Sequence, residues 1–153
     1  MRNLIKVISS CFFLGYLPLM PGTFGSLGGV VCYLLVKDNF LIYILTMLVI
    51  FLLGFLTAGK AEVVFKEKDS GKIVIDEVAA MLLCYLFIPF TFLNLVLGFV
   101  LFRIFDIFKP YPAAQAQNLK GSLGIMLDDI IAALYTNSIL HTVVFILSRM
   151  GYK

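Results

Sequence analysis

The sequence predicts an all-α fold, a single membrane-embedded helical bundle over residues 1–153 that combines full-length helices with short ones able to be re-entrant. Of the 153 residues, 61% are apolar and only 14% are charged, against roughly 45–50% and 25% in soluble domains. That excludes an ordinary soluble protein and a disordered chain alike. Residues 7–36, 39–59, 78–102 and 130–148 contain no Asp, Glu, Lys or Arg. No stretch alternates apolar and polar residues over the length of a barrel strand, so helices are left to satisfy the backbone in lipid.

Taken in order, Arg2 and Lys6 precede the first run as in a signal peptide, but no small-residue cleavage pattern stands before Pro18 and Pro21. The run reads as a retained membrane segment. A spanning helix needs about 20 residues, so 25–36 is a half-helix unless it starts deeper, whereas 39–59 suffices alone. The run 78–102 carries Pro89, which lacks a donor and disfavours helix just before it, predicting two shorter helices with 90–94 as their turn. Residues 130–148 form a fourth candidate. Three polar stretches, 19–26, 60–77 and 103–129, hold almost all the reactive groups. They meet on one face if 27–58 run out and back as a hairpin and Pro89 marks a re-entrant turn.

The net charge is +3, and the basic excess sits at the edges of apolar runs, at Arg2, Lys6, Lys37, Arg149 and Lys153. These read as snorkelling anchors and contacts to anionic membrane lipids, with no nucleic-acid partner. Cys11, Cys32 and Cys84 have no Cys-x-x-Cys spacing and read as small buried hydrophobes. His141, in mid-run, reads as a buried hydrogen-bonded residue. Glu62 and Lys66 read as an exposed i, i+4 helix pair and 66–69 as a solvated turn.

Asp76, Glu77, Asp106, Asp128 and Asp129 lie where apolar runs begin or end. An ionisable group at a membrane-helix margin is a functional candidate, because facing lipid costs several kcal/mol. If the five converge, Arg103 and Lys109 cannot balance them, and one or two divalent cations would; all-oxygen ligands suit Mg²⁺ or Mn²⁺. Arg103, Asp106 and Lys109 follow at i, i+3 and i+6 up to Pro110, a stripe suited to a phosphate group, with an Arg103–Asp106 surface ion pair as the plain reading. Each acid pair is followed by small residues, Ala79-Ala80 and Ala132-Ala133, which allow close helix packing. The turn Pro21-Gly-Thr-Phe-Gly-Ser26 enters a helix and can receive an anion, although a plain N-cap by Thr23 or Ser26 explains it more simply. No Cys-x5-Arg or Asp-x-Asp motif occurs and there is one His, which disfavours phosphatases built on those nucleophiles.

The chain resembles the phosphatidylglycerophosphatase A family through four ordered blocks: Pro21-Gly-Thr-Phe-Gly-Ser-Leu27, Ile73-Val-Ile-Asp-Glu77, Phe102-Arg-Ile-Phe-Asp-Ile-Phe-Lys-Pro-Tyr-Pro112 and Gly124-Ile-Met-Leu-Asp-Asp129. Ala80 and Ala133 stand where the family often has Gly, and 60–72 match poorly. The resemblance implies Mg²⁺-dependent hydrolysis of phosphatidylglycerophosphate to phosphatidylglycerol and inorganic phosphate, in phospholipid biosynthesis. It also implies a multi-pass protein of the bacterial inner membrane with its site facing the cytoplasm, needing no obligate protein partner. On that reading Asp76, Glu77, Asp106, Asp128 and Asp129 are catalytic metal ligands, Asp106 serving alternatively as general base, while Thr23, Arg103 and Lys109 bind the substrate phosphate. Rival readings are a small divalent-cation transporter or channel using membrane-embedded carboxylates, and a membrane assembly factor.

Overall fold

A computed structural model describes residues 1–151. The elements are α1 (Arg2–Ser9), a 3-10 turn (Leu14–Tyr16), α2 (Pro21–Val36), α3 (Phe40–Phe65), α4 (Ile75–Cys84), α5 (Phe92–Phe108), α6 (Ala113–Ala116) and α7 (Ser122–Arg149). Among the described residues there is no strand, as the composition predicts.

The short helix α4 is the axis of the bundle. Eight of its ten residues are buried, with α2, α3 and α7 packed around it. Small residues bring these helices together: a Cβ on Gly29 of α2 would stand 2.5 Å from the Met81 Cβ, and Ala79, Ala80, Ala132 and Ala133 are fully buried. Such stripes allow backbones to approach where apolar surroundings offer no hydrophobic drive to associate.

Helices α3 and α7, of 26 and 28 residues, are roughly 39 and 42 Å long at 1.5 Å per residue. Either is long enough to cross a hydrocarbon core of about 30 Å. In each, only 22% of the most apolar window is buried. On α3, Tyr43, Met47, Gly54, Thr57 and Ala58 face inward while Leu41, Leu45, Leu48, Leu52 and Leu56 are exposed. A helix apolar on its outer face as well as its inner one is solvated by lipid, and the chain is a membrane protein. Lys37 lies over the Phe90 ring at 4.5 Å, and Arg149 over Phe145 at 5.3 Å, the stem-along-apolar-surface placement expected of anchors. Lys153, read as a further anchor, lies outside the described residues.

Several boundaries depart from expectation. The run 7–36 forms no single span: α1 stops at Ser9, and Cys11, Phe12 and Phe13 adopt left-handed φ of 46°, 57° and 69° before α2 begins. Helix α3 continues past Gly59 to Phe65 and ends where Lys66 turns to φ 58°. Glu62 and Lys66 therefore share no helical face, and Glu62 Oε1 accepts from the Asp69 amide at 2.8 Å. His141 is exposed on α7 rather than buried, since no helix covers that face; of the cysteines only Cys84 is fully buried.

The break around Pro89 falls at 85–91, upstream of the predicted turn, because Thr91 caps α5 by accepting from the Asn94 amide at 3.0 Å. Residues 92–94 are thus helical. Ending α4 inside an apolar bundle exposes carbonyls that no water serves. Side chains replace the water. Asn137 of α7 donates to the carbonyls of Cys84 (3.0 Å) and Leu86 (2.9 Å), Asn94 donates to Pro89 O (2.9 Å), and the Tyr43 hydroxyl donates to Leu82 O. Asn137→Leu removes two of these bonds and should destabilise the fold by about 1–3 kcal/mol. Thermal unfolding in detergent measures this, and an unchanged melting temperature would show that the carbonyls find other partners.

Candidate active site

Helix ends converge on one region of the bundle. The α2–α3 hairpin returns the chain so that the Gly59 amide donates to Ser122 Oγ at 2.8 Å, pinning the start of α7 to the far part of α3. At Gly59 a Cβ would stand 2.6 Å from the Ser122 nitrogen, so the two backbones touch. The first turn of α4, the last turns of α5 and the early turns of α7 then face one another, and the first turn of α2 lies across them. A Cβ on Gly22 would come 2.5 Å from Glu77 Oε1 and 3.3 Å from Arg103 Nη1; one on Gly25 would come 3.3 Å from Glu77 Oε2.

Consecutive helical residues point about 100° apart, which separates Asp128 from Asp129. Asp76, Glu77 and Asp129 turn toward one another, each offering a carboxylate oxygen within 4.8 Å of the others. Asp128 turns instead to α5, where it accepts a hydrogen bond from Lys109 Nζ. Asp106 accepts from Arg103 Nη1 at 2.6 Å and lies 4.0 Å from Lys109 Nζ. The Arg103–Asp106 pair is present, but at 17% and 13% side-chain exposure it is sunk in the site rather than on the surface. Lys109 is no longer helical: it takes φ 44° as the cap of α5, which swings its ammonium toward α7.

Each carboxylate of the trio leaves one oxygen unpartnered, as does Asp128 at Oδ1. Asp76 Oδ1, Glu77 Oε2 and Asp129 Oδ2 are buried without a hydrogen bond. An uncompensated buried charge costs several kcal/mol, so three together call for a cation or for protons. Burial, followed by the charges of Glu77, Asp129 and Asp128, holds the Asp76 carboxyl well above the usual carboxylate range. Glu77 is also raised, chiefly by burial, with Arg103 opposing. Three convergent carboxylates with free lone pairs can hold a metal ion.

The remaining candidates behave differently from one another. Thr23 sits in the first turn of α2, whose Thr23 and Phe24 amides already donate to Met20 O at 3.0 and 3.2 Å. Neither Thr23 nor Ser26 caps the helix, since Met20 is the N-cap and makes no side-chain bond. Ser26 instead links α2 to α5, its hydroxyl donating to Gly22 O at 2.9 Å and accepting from Arg103 Nη1 at 3.3 Å. Sequence reasoning places Gly22 and Ser26 in an anion-receiving or capping turn and misses their contacts with Glu77 and Arg103. The signal was the small residue itself, which becomes informative only once α2 is known to lie against Glu77.

The raised Asp76 carboxyl fixes the sign of a pH effect. A carboxyl that holds its proton more tightly folded than unfolded makes the metal-free fold lose stability as pH rises above the ordinary value of 3.8. Asp76→Asn should raise the melting temperature of the metal-free protein and flatten its decline with pH. Melting curves in a chelator across a pH series test this; identical slopes in both proteins would acquit Asp76 of the strain.

The phosphatidylglycerophosphatase A family profile matches residues 7–144. A Haemophilus influenzae protein named phosphatidylglycerophosphatase A is 33% identical over 87% of this chain and 84% of its own length. The Escherichia coli protein of the same name is 32% identical over 92% of this chain and 84% of its own. A Bacteroides thetaiotaomicron protein provisionally named phosphatidylinositol-3-phosphatase is 32% identical, covering 85% of this chain and 87% of its own. No solved structure matches the chain.

Proposed function

The chain belongs to the phosphatidylglycerophosphatase A family and is a phosphatase, and from that premise we propose that it hydrolyses phosphatidylglycerophosphate to phosphatidylglycerol and inorganic phosphate with Mg²⁺ at the carboxylate trio. The observation that carries this reading is the convergence of three unpartnered carboxylate oxygens beside a guanidinium already held in place. Asp76, Glu77 and Asp129 hold the ion. When bound, Mg²⁺ supplies a Lewis acid for the phosphoryl oxygens and for the attacking water.

The protein's own residues supply position and charge. Asp106 and Ser26 fix Arg103 from two sides, and the guanidinium, whose Nε is unpartnered, meets the phosphoryl oxygens as charge develops on them. Asp128 holds Lys109 on the other side of Asp106 from Arg103, where a compact ammonium complements the planar fork of Arg103. Asp106 lies between both cations and takes the proton of the attacking water, or completes the metal's ligand set. Thr23, in the first turn of α2, adds a hydroxyl to the phosphate. Such a site serves phospholipid biosynthesis from the cytoplasmic face of a bacterial inner membrane, with α3 and α7 among its spans and no obligate protein partner. The relative named for a phosphoinositide and those named for phosphatidylglycerophosphate share a substrate class, a lipid carrying a phosphomonoester. The relatives give a cation-transporter reading no support.

Protein purified in detergent should release phosphate from phosphatidylglycerophosphate with Mg²⁺ and not with EDTA. Asp129→Asn should bring release to background with the fold intact by circular dichroism. Arg103→Ala should lower kcat by about 10²–10³-fold, as expected for removing one preorganised transition-state donor, and should raise KM. Release that survives EDTA would remove the metal from this account, and cation flux in liposomes without phosphate release would restore the transporter.

A further inference from the structure

Beside the carboxylates, the bundle holds a groove of about 470 Å³ between the segment after α1 and helices α2, α3 and α4. That is within the range of small-ligand sites. Cys11, Leu14, Gly28, Cys32, Ile75 and Val78 line it, and no side chain around it carries oxygen or nitrogen. Water gains nothing in a space without polar partners. Its floor adjoins the site: Ile75 and Val78 flank Asp76 and Glu77 on α4, and Gly28 stands one turn beyond Gly25, whose Cβ would touch Glu77. Its mouth is edged by Phe12 and Leu35, 85% and 80% exposed, on a protein whose outer surface is apolar. The thiol of Cys11 registers both surroundings, being pushed up to about 12 by burial and then by the charge of Glu77.

We propose that this groove seats an acyl chain of the substrate lipid while its phosphomonoester occupies the carboxylate site. The inference rests on the lipid-phosphatase reading above. A lipid phosphomonoester needs both environments within one molecular length, and a dry groove one helical turn from a charged site provides them. Gly28 keeps the groove open, because a Cβ there would stand 2.8 Å from Leu14 Cδ1 and 3.8 Å from Val78 Cγ2. Anything larger fills the space.

The test compares diacyl phosphatidylglycerophosphate with its water-soluble deacylated analogue, glycerophosphoglycerophosphate. The wild type should prefer the diacyl substrate in kcat/KM, and Gly28→Leu or Cys32→Trp should cut that preference at least tenfold, mainly through KM. Variants that keep the wild-type preference would overturn the groove's role. Wild-type protein that releases phosphate from neither substrate would overturn the phosphatase reading itself, and this inference with it. Because plugged variants can misfold, a second measurement uses the absence of Trp from the chain. Val31→Trp places a single fluorophore on the groove, and phosphatidylglycerol with brominated chains should quench it saturably in detergent, at least fivefold more effectively than brominated phosphatidylcholine. Equal quenching by both lipids would mean that bulk lipid fills the groove, and would overturn the proposal.

Discussion

The placement of three carboxylates of like charge in the apolar interior of a small bundle governs the rest of the structure. Asp76, Glu77 and Asp129 are drawn from two helices that approach closely only because alanines follow each acid pair. Glycines do the same for α2, which lies over Glu77 with no side chain at Gly22 or Gly25 to hold it off. Stability alone would not select such a cluster, since neutral side chains in the same positions would avoid the penalty of unpaired buried charge. The fold stores an electrostatic deficit that a cation or protons would relieve, the relation expected between a candidate site and the stability of its scaffold.

That arrangement requires a helix to start at the site and to stop inside the bundle. The ten residues of α4 cannot cross a bilayer, and the end opposite Asp76 leaves carbonyls among apolar side chains. Asn137, Asn94 and Tyr43 come from three different helices to satisfy that end. The break near Pro89 is thus built by donors on neighbouring helices as much as by the proline, so it begins at Tyr85 rather than after Pro89.

Much of this was legible from residue order. Charge-free runs located the helices that face lipid, and the acids at their margins marked the candidate site, because in an apolar chain every carboxylate is conspicuous. The partition of those acids was not legible. Asp128 and Asp129 are neighbours in sequence, and only the facing helices decide that one meets Lys109 and the other the trio. Boundaries failed where a residue's role depends on a distant partner. Glu62 and Lys66 fit i, i+4 spacing, yet Lys66 leaves the helix and Glu62 turns to Asp69. Ser26 looks like a cap because its hydroxyl follows a glycine turn, whereas its acceptor role toward Arg103 depends on how α5 lies against α2.

The two ion pairs show how a site can carry strong charges without collapsing. Asp106 holds Arg103 and Asp128 holds Lys109 by short ion pairs beside the trio. A base paired with one carboxylate keeps charge-assisted hydrogen bonds while remaining able to turn toward a phosphoryl oxygen. Ser26 adds a neutral acceptor that orients Arg103 without cancelling its charge. The two pairs thus place charged donors beside a trio whose unpartnered oxygens stay buried.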